Sequence, residues 1–151
     1  MKKSDKTIEH IWPDYFDRFT LPEGAHEEEI LVYRACRTNK CEKASFLPTF
    51  EENGHIVFDE KEEIDPGTYS LSVYEKAKDV KRFTVLRADY PKPCKIAIGY
   101  TRSKHGLVQR TRERTHRKSS HIDWWLYKDA RPYEEFEIIE NFESHLERGQ
   151  K

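Results

Sequence analysis

A chain of 151 residues and 18.1 kDa has room for one domain built on a single core. Its hydrophobic content is 36%, its charged content 36% and its aromatic content 13%; that is too many aromatics for a disordered chain. No apolar run approaches the roughly 20 residues that a membrane-spanning helix needs. The net charge of −1 is unevenly spread: the segment 101–120 holds seven basic residues against the single Glu113, or +6, leaving −7 on the rest. Such segregation bears on partners and says nothing of fold.

In chain order, residues 1–7 read as a mobile charged tail, residues 8–145 as one globular domain, and residues 146–151 as a polar tail. Ile8–Phe19 carries apolar residues at helical spacing, interrupted by Pro13, which predicts a short turn or helix starting there. Ile30–Cys36 reads as a strand. Pro48 opens a helical turn, Asn53-Gly54 marks a turn, and His55–Phe58 reads as a brief strand. Asp65-Pro66-Gly67 is a turn in which proline presets φ and glycine tolerates positive φ; it opens a strand over Thr68–Tyr74. Ala77, Val80, Phe83 and Leu86 predict a helix within Glu75–Arg87. Two apolar strands follow, Ile96–Tyr100 and His121–Tyr127, joined by a basic excursion over 101–120. Tyr133–Phe142 fits neither strand nor helix period cleanly. These elements predict a single α+β domain, a mainly antiparallel sheet with one or two helices packed on one side.

Cys36, Cys41 and Cys94 are odd in number, and Met1–Lys6 is basic with no apolar stretch after it. The expectation is free thiols and a cytoplasmic location. No His/Cys spacing matches a metal site, and no motif calls for a cofactor.

Side chains alternate along a strand, so Ile122, Trp124 and Leu126 should face the core, with His121, Asp123, Trp125 and Tyr127 opposite. The second set has the composition of a ligand-facing wall. Beside it, Arg102, Lys104, Arg110, Arg112, Arg114, Arg117 and Lys118 can neutralise phosphates, while Tyr100, Trp125 and Tyr127 offer faces for stacking bases. The opposing reading is a solvated hairpin tip with little to bury. No RNP, KH, zinc-finger or helix-turn-helix signature accompanies the segment.

His121 and Asp123, about 6.6 Å apart along one strand face, suit acid–base work, with His105 or His116 as a second histidine of a ribonuclease-type site. Arg34 shares a strand face with Ile30, Val32 and Cys36, where a guanidinium must find a carboxylate or a ligand phosphate. Gly99, inside an apolar strand, marks a bulge or a close approach by backbone or ligand.

Arg34 on an early strand, Ser70-Leu71-Ser72 on a middle strand and Glu135-Phe136-Glu137 near the end follow an order that resembles the ADP-ribosyltransferases. The middle motif departs from that family's Ser-Thr-Ser. The resemblance implies Arg34 on the NAD pyrophosphate, Ser70 positioning the ribose, and Glu137 stabilising an oxocarbenium-like transition state.

Three functions emerge. The leading one is a protein binding RNA or a nucleotide through the basic arm and aromatic strand face. The second is an enzyme using Arg34 and Glu137, or His121 and Asp123. The third is an interaction module whose charged surfaces meet an acidic protein or another copy of the chain.

Overall fold

The computed structural model describes residues 11–52, 65–116 and 118–149. The expected 1–7 tail, the Asn53-Gly54 turn, the His55–Phe58 strand and Arg117 lie outside the described residues. The strands are β1 (Leu31–Ala35), β2 (Leu71–Tyr74), β3 (Ile96–Tyr100), β4 (Gly106–Arg110), β5 (His121–Leu126) and β6 (Glu137–Ile138). They pair antiparallel in one sheet ordered β4-β5-β2-β1-β3-β6. The helices are α1 (Thr49–Glu52), α2 (Ala77–Leu86) and α3 (Phe142–Gly149). No helix among the described residues is long and apolar enough to cross a membrane.

The register sorts every strand residue onto one of two faces. On the first, Val32, Val73, Ala97, Val108, Ile122 and Trp124 form the main core, roofed by Phe46 and Phe136. Gly99 is where that roof comes closest: a Cβ there would meet the Phe136 ring at 2.5 Å. The close approach at this glycine is made by a neighbouring side-chain ring, and not by the backbone or ligand expected there.

The second face is split. At one end, Ala35, Tyr74 and Ile96 pack against Val80 and Phe83 of α2 and Phe142 of α3. At the other, Trp125 joins Phe50 and Tyr69 under Trp12, Tyr15, Phe16 and Phe19 of the N-terminal segment. Between the two apolar clusters lies a polar strip formed by Ser70, just before β2, Ser72 of β2, and His121 and Asp123 of β5, with Ser72 opposite Asp123. The α+β class and the helices on one side agree with the sequence reading.

Three local expectations are overturned. Segment 101–120 is no solvated excursion: it contains β4, which pairs with β5 over Gly106–Arg110 and buries Val108, Gln109 and Thr111. Hydrogen bonds between His26 and Val108 (N–H to O 2.9 and 2.8 Å) engage the outer edge of this strand. Trp125 is fully buried, as is Trp124; both faces of β5 are core, because the N-terminal aromatics cover the one expected to meet a ligand. The segment expected as a polar tail from residue 146 belongs in part to α3. The three cysteines are free thiols, and burial pushes Cys36 up to about 12.

Candidate functional site

The polar strip opens into a cavity of about 340 Å³ lined by residues of β2, β5, the Asp65–Thr68 turn and the segment after β4. His121 sits at its floor, 4% exposed. Its Nε2 lies 2.8 Å from Ser72 Oγ, and its Nδ1 is hydrogen-bonded to Thr111 Oγ1. Asp123 is equally enclosed. Its Oδ1 accepts from Ser70 Oγ (2.8 Å) and lies 3.9 Å from His121 Nε2, while its Oδ2 accepts from Arg114 Nη2 (2.6 Å). Arg114 also donates from Nη1 to Gln109 Oε1 (2.7 Å). A Cβ on Gly67 would meet the Asp123 and Asp65 carboxylates at 3.3 Å, so the turn closes tightly over this group. The expected His121–Asp123 pair is thus joined by Arg114, Ser72 and Thr111. Ser72 entered the sequence reading only through the Ser70-Leu71-Ser72 motif, and Thr111 carried no signal, since each meets His121 only across strands.

The other expected residues do not gather there. Arg34 is buried, with all three guanidinium nitrogens engaged. It donates to the carbonyls of Ser45 (2.8 Å), Ser72 (2.9 Å) and Leu47 (3.4 Å) and to Glu52 Oε2 (3.1 Å). Glu137 is exposed on β6, with β3 between it and Arg34. The Arg34, Ser70 and Glu137 set therefore does not converge on one cavity. Tyr127 packs against Trp12, Tyr100 lies 45% exposed beneath Arg102, and Trp125 is core.

Most of the basic arm is engaged by acidic residues of the same chain. Arg102 pairs with Glu29 (3.1 Å) and Glu135 (2.9 Å), and Lys104 also with Glu135. Arg110 pairs with Glu28 (3.1 Å) and Glu75 (3.0 Å). Hydrogen bonds from these cations hold Glu28 and Glu135 below the ordinary glutamate range. Arg112 and Lys118 are exposed, with no carboxylate partner among the described residues.

His105, the proposed second histidine, lies apart from His121, against Trp124 with its ring 7% exposed. Burial lowers its pKa, with Glu135 opposing. A depressed folded value means that the unfolded chain binds the proton more readily. The stability this group contributes is fully present above the unfolded value of about 6.5 and is lost as pH falls through the lower folded one. The melting temperature should therefore fall between pH 7.5 and 5.5, and His105→Gln should flatten that fall. An unchanged pH profile in the variant would exclude His105 as the cause. His26, raised by the Gly24 carbonyl and Glu28, acts with the opposite sign, but its side chain is 40% exposed and solvent screens it.

Searches against family models, curated proteins and solved structures find no match for this chain.

A second concavity adjoins the first: Tyr74, in its wall, meets the His121 ring edge-on at 5.3 Å. It is an open cleft of about 610 Å³ between α2 and the Lys118-Ser119 segment, lined by Arg82, Phe83, Leu86, Arg87, Asp79 and Lys118 among others. Arg82 is exposed and, like Lys118, has no carboxylate partner among the described residues. Arg87 is held bidentate by Asp89 (3.0 and 2.9 Å). Asp79 is turned to Ser120, accepting from its N (2.9 Å) and Oγ (2.7 Å). Sequence reasoning weighed the basic residues of 101–120 and passed over those of α2, although Lys76, Lys78, Lys81, Arg82 and Arg87 crowd one short span. Apolar spacing drew attention to that helix's buried face instead.

Proposed function

We propose that the protein binds a phosphate-bearing ligand, single-stranded RNA or a nucleotide, in the cleft beside α2. The observation that carries this reading is that Arg82 and Lys118, with no carboxylate partner among the described residues, line one cleft together with Phe83 and Leu86. A recessed site lined by cations concentrates anions, and an arginine fork suits phosphate oxygens. Leu86, 70% exposed, and the half-buried Phe83 offer an apolar surface to a base. Arg102, Lys104, Arg110 and Arg114, and in the cleft Arg87, are already neutralised within the chain, so the phosphate contacts fall to Arg82 and Lys118.

Counterion release supplies the test. For two phosphate contacts on a single strand, log K should fall against log salt with a slope of about −1.4, from about −0.7 per contact. Fluorescence anisotropy with a labelled single-stranded RNA measures it. Arg82→Gln with Lys118→Gln should flatten the slope by about 1.4 and leave stability within about 0.5 kcal/mol, as expected for exposed positions. Competition by a mononucleotide would narrow the ligand to a nucleotide. Absence of binding to either at low salt, with capture of an acidic polypeptide instead, would assign the cleft to a protein surface.

A further inference from the structure

We propose that Ser72 and His121 act as nucleophile and general base, and that the cavity they line takes a carboxylic ester. Ser72 Oγ and His121 Nε2 are 2.8 Å apart, within the reach that proton transfer requires. For Ser72 to donate, Nε2 must carry the lone pair and Nδ1 the proton, and that proton is received by Thr111 Oγ1. The base is therefore held by a third group, the arrangement that distinguishes an activated serine from an incidental hydroxyl. Ser72 is partly exposed and lines the cavity. Ser70, two residues earlier, is fully buried, and its single hydroxyl hydrogen is shared between Asp123 Oδ1 (2.8 Å) and the Gly67 carbonyl (3.0 Å), so it has no such opening.

The surrounding charges fit the reaction. Asp123 Oδ1, 3.9 Å from Nε2, favours the imidazolium that forms when His121 takes the serine proton. Arg114, held by Asp123 and Gln109, lines the same cavity and keeps N–H donors beyond those two bonds for an oxyanion. Asp65 and Asp123 also line it, and their charges oppose a phosphoester here while tolerating a neutral carbonyl. At about 340 Å³ the cavity suits a small ester.

The step balances without a co-reactant other than water. Ser72 Oγ adds to the carbonyl carbon while its proton passes to His121 Nε2. The tetrahedral adduct collapses, the bond to the alcohol oxygen breaks, and the alcohol leaves with the proton from Nε2. Water, deprotonated by the same nitrogen, then attacks the acyl-serine; the acid departs and Ser72 recovers its proton.

The inference rests on this cavity and not on the α2 cleft, so failure of RNA binding leaves it standing. The full chain is treated with a fluorophosphonate and, separately, with p-nitrophenyl acetate, and the adduct is located by peptide mass mapping. The expected result is one phosphonyl and one acetyl group, both on Ser72, with a burst of p-nitrophenol. Ser72→Ala should abolish both adducts, and His121→Gln should slow phosphonylation by at least about 100-fold. The map on the unsubstituted chain decides the matter even if a variant fails to fold. No adduct, or adducts on other side chains, would overturn the proposal.

Discussion

Replacing Arg34 with Met should destabilise the protein by about 3–5 kcal/mol, the range for removing one partner of a buried ion pair. Arg34 and Glu52 are 2% and 6% exposed in their side chains, so little solvent can enter to compensate either. The guanidinium also donates to the Ser45, Leu47 and Ser72 carbonyls, and methionine fills its volume without satisfying them. β1 and β2 share only the Tyr33–Tyr74 register pair, and Arg34 bonds the Ser72 carbonyl beyond that point. Glu52→Gln should cost less, because an amide oxygen can still accept from Arg34 and from Tyr90, whose hydroxyl donates to Glu52 Oε2 (3.0 Å). Chemical denaturation of both variants checks the order; a Glu52→Gln loss exceeding that of Arg34→Met would show the charge, rather than the carbonyl network, to dominate.

Trp125→Ala should cost about 3–5 kcal/mol, as much as Trp124→Ala, since both rings are fully buried. The conservative changes separate the two sites. Trp125 Nε1 donates to the Pro66 carbonyl at 2.9 Å, and this bond ties β5 to the turn that closes the polar cavity. Trp124 Nε1 has no hydrogen-bond partner among the described residues. Trp125→Phe forfeits a bond worth about 1 kcal/mol in addition to volume, whereas Trp124→Phe removes an unsatisfied donor that was costly to bury. The second variant should be the more stable of the two by thermal melting. A Trp124→Phe protein less stable than Trp125→Phe would mean that lost ring volume outweighs the polar terms.

The buried ion pair of Arg34 was half legible in advance. An arginine among Ile30, Val32 and Cys36 requires an acceptor, and that requirement is a property of the strand alone. Which acceptor it finds depends on how α1 and the loop before it fold over the end of β1. His121 and Asp123 were legible for the same local reason, their shared strand face. Thr111, by contrast, sits inside a run of basic residues and reaches His121 only because β4 pairs with β5. That pairing was hidden because Leu107 and Val108 are the only large apolar residues in the run, too few to declare a strand by period.

Properties that depend on neighbours along the chain were determined by the sequence itself: the turn at Asp65-Pro66-Gly67, the helix over Ala77–Leu86, the alternation that puts Ile122 and Trp124 in the core, and with them the α+β class. Periodicity and turn chemistry act over a few residues and need no knowledge of what packs on top. Only the tertiary structure decided which cations remain available and which aromatic faces stay open. Arg110 meets Glu28 from 82 residues away, Arg102 meets Glu29 from 73, and Ser72 meets His121 from 49. Trp125 is closed off by rings that precede it by about a hundred residues in the chain. Charge pairing and burial operate over a few ångströms of space whatever the distance along the chain. Most of a basic run in the sequence therefore becomes a set of neutralised contacts, while Arg82 of α2 and Lys118, without carboxylate partners among the described residues, come to line one cleft.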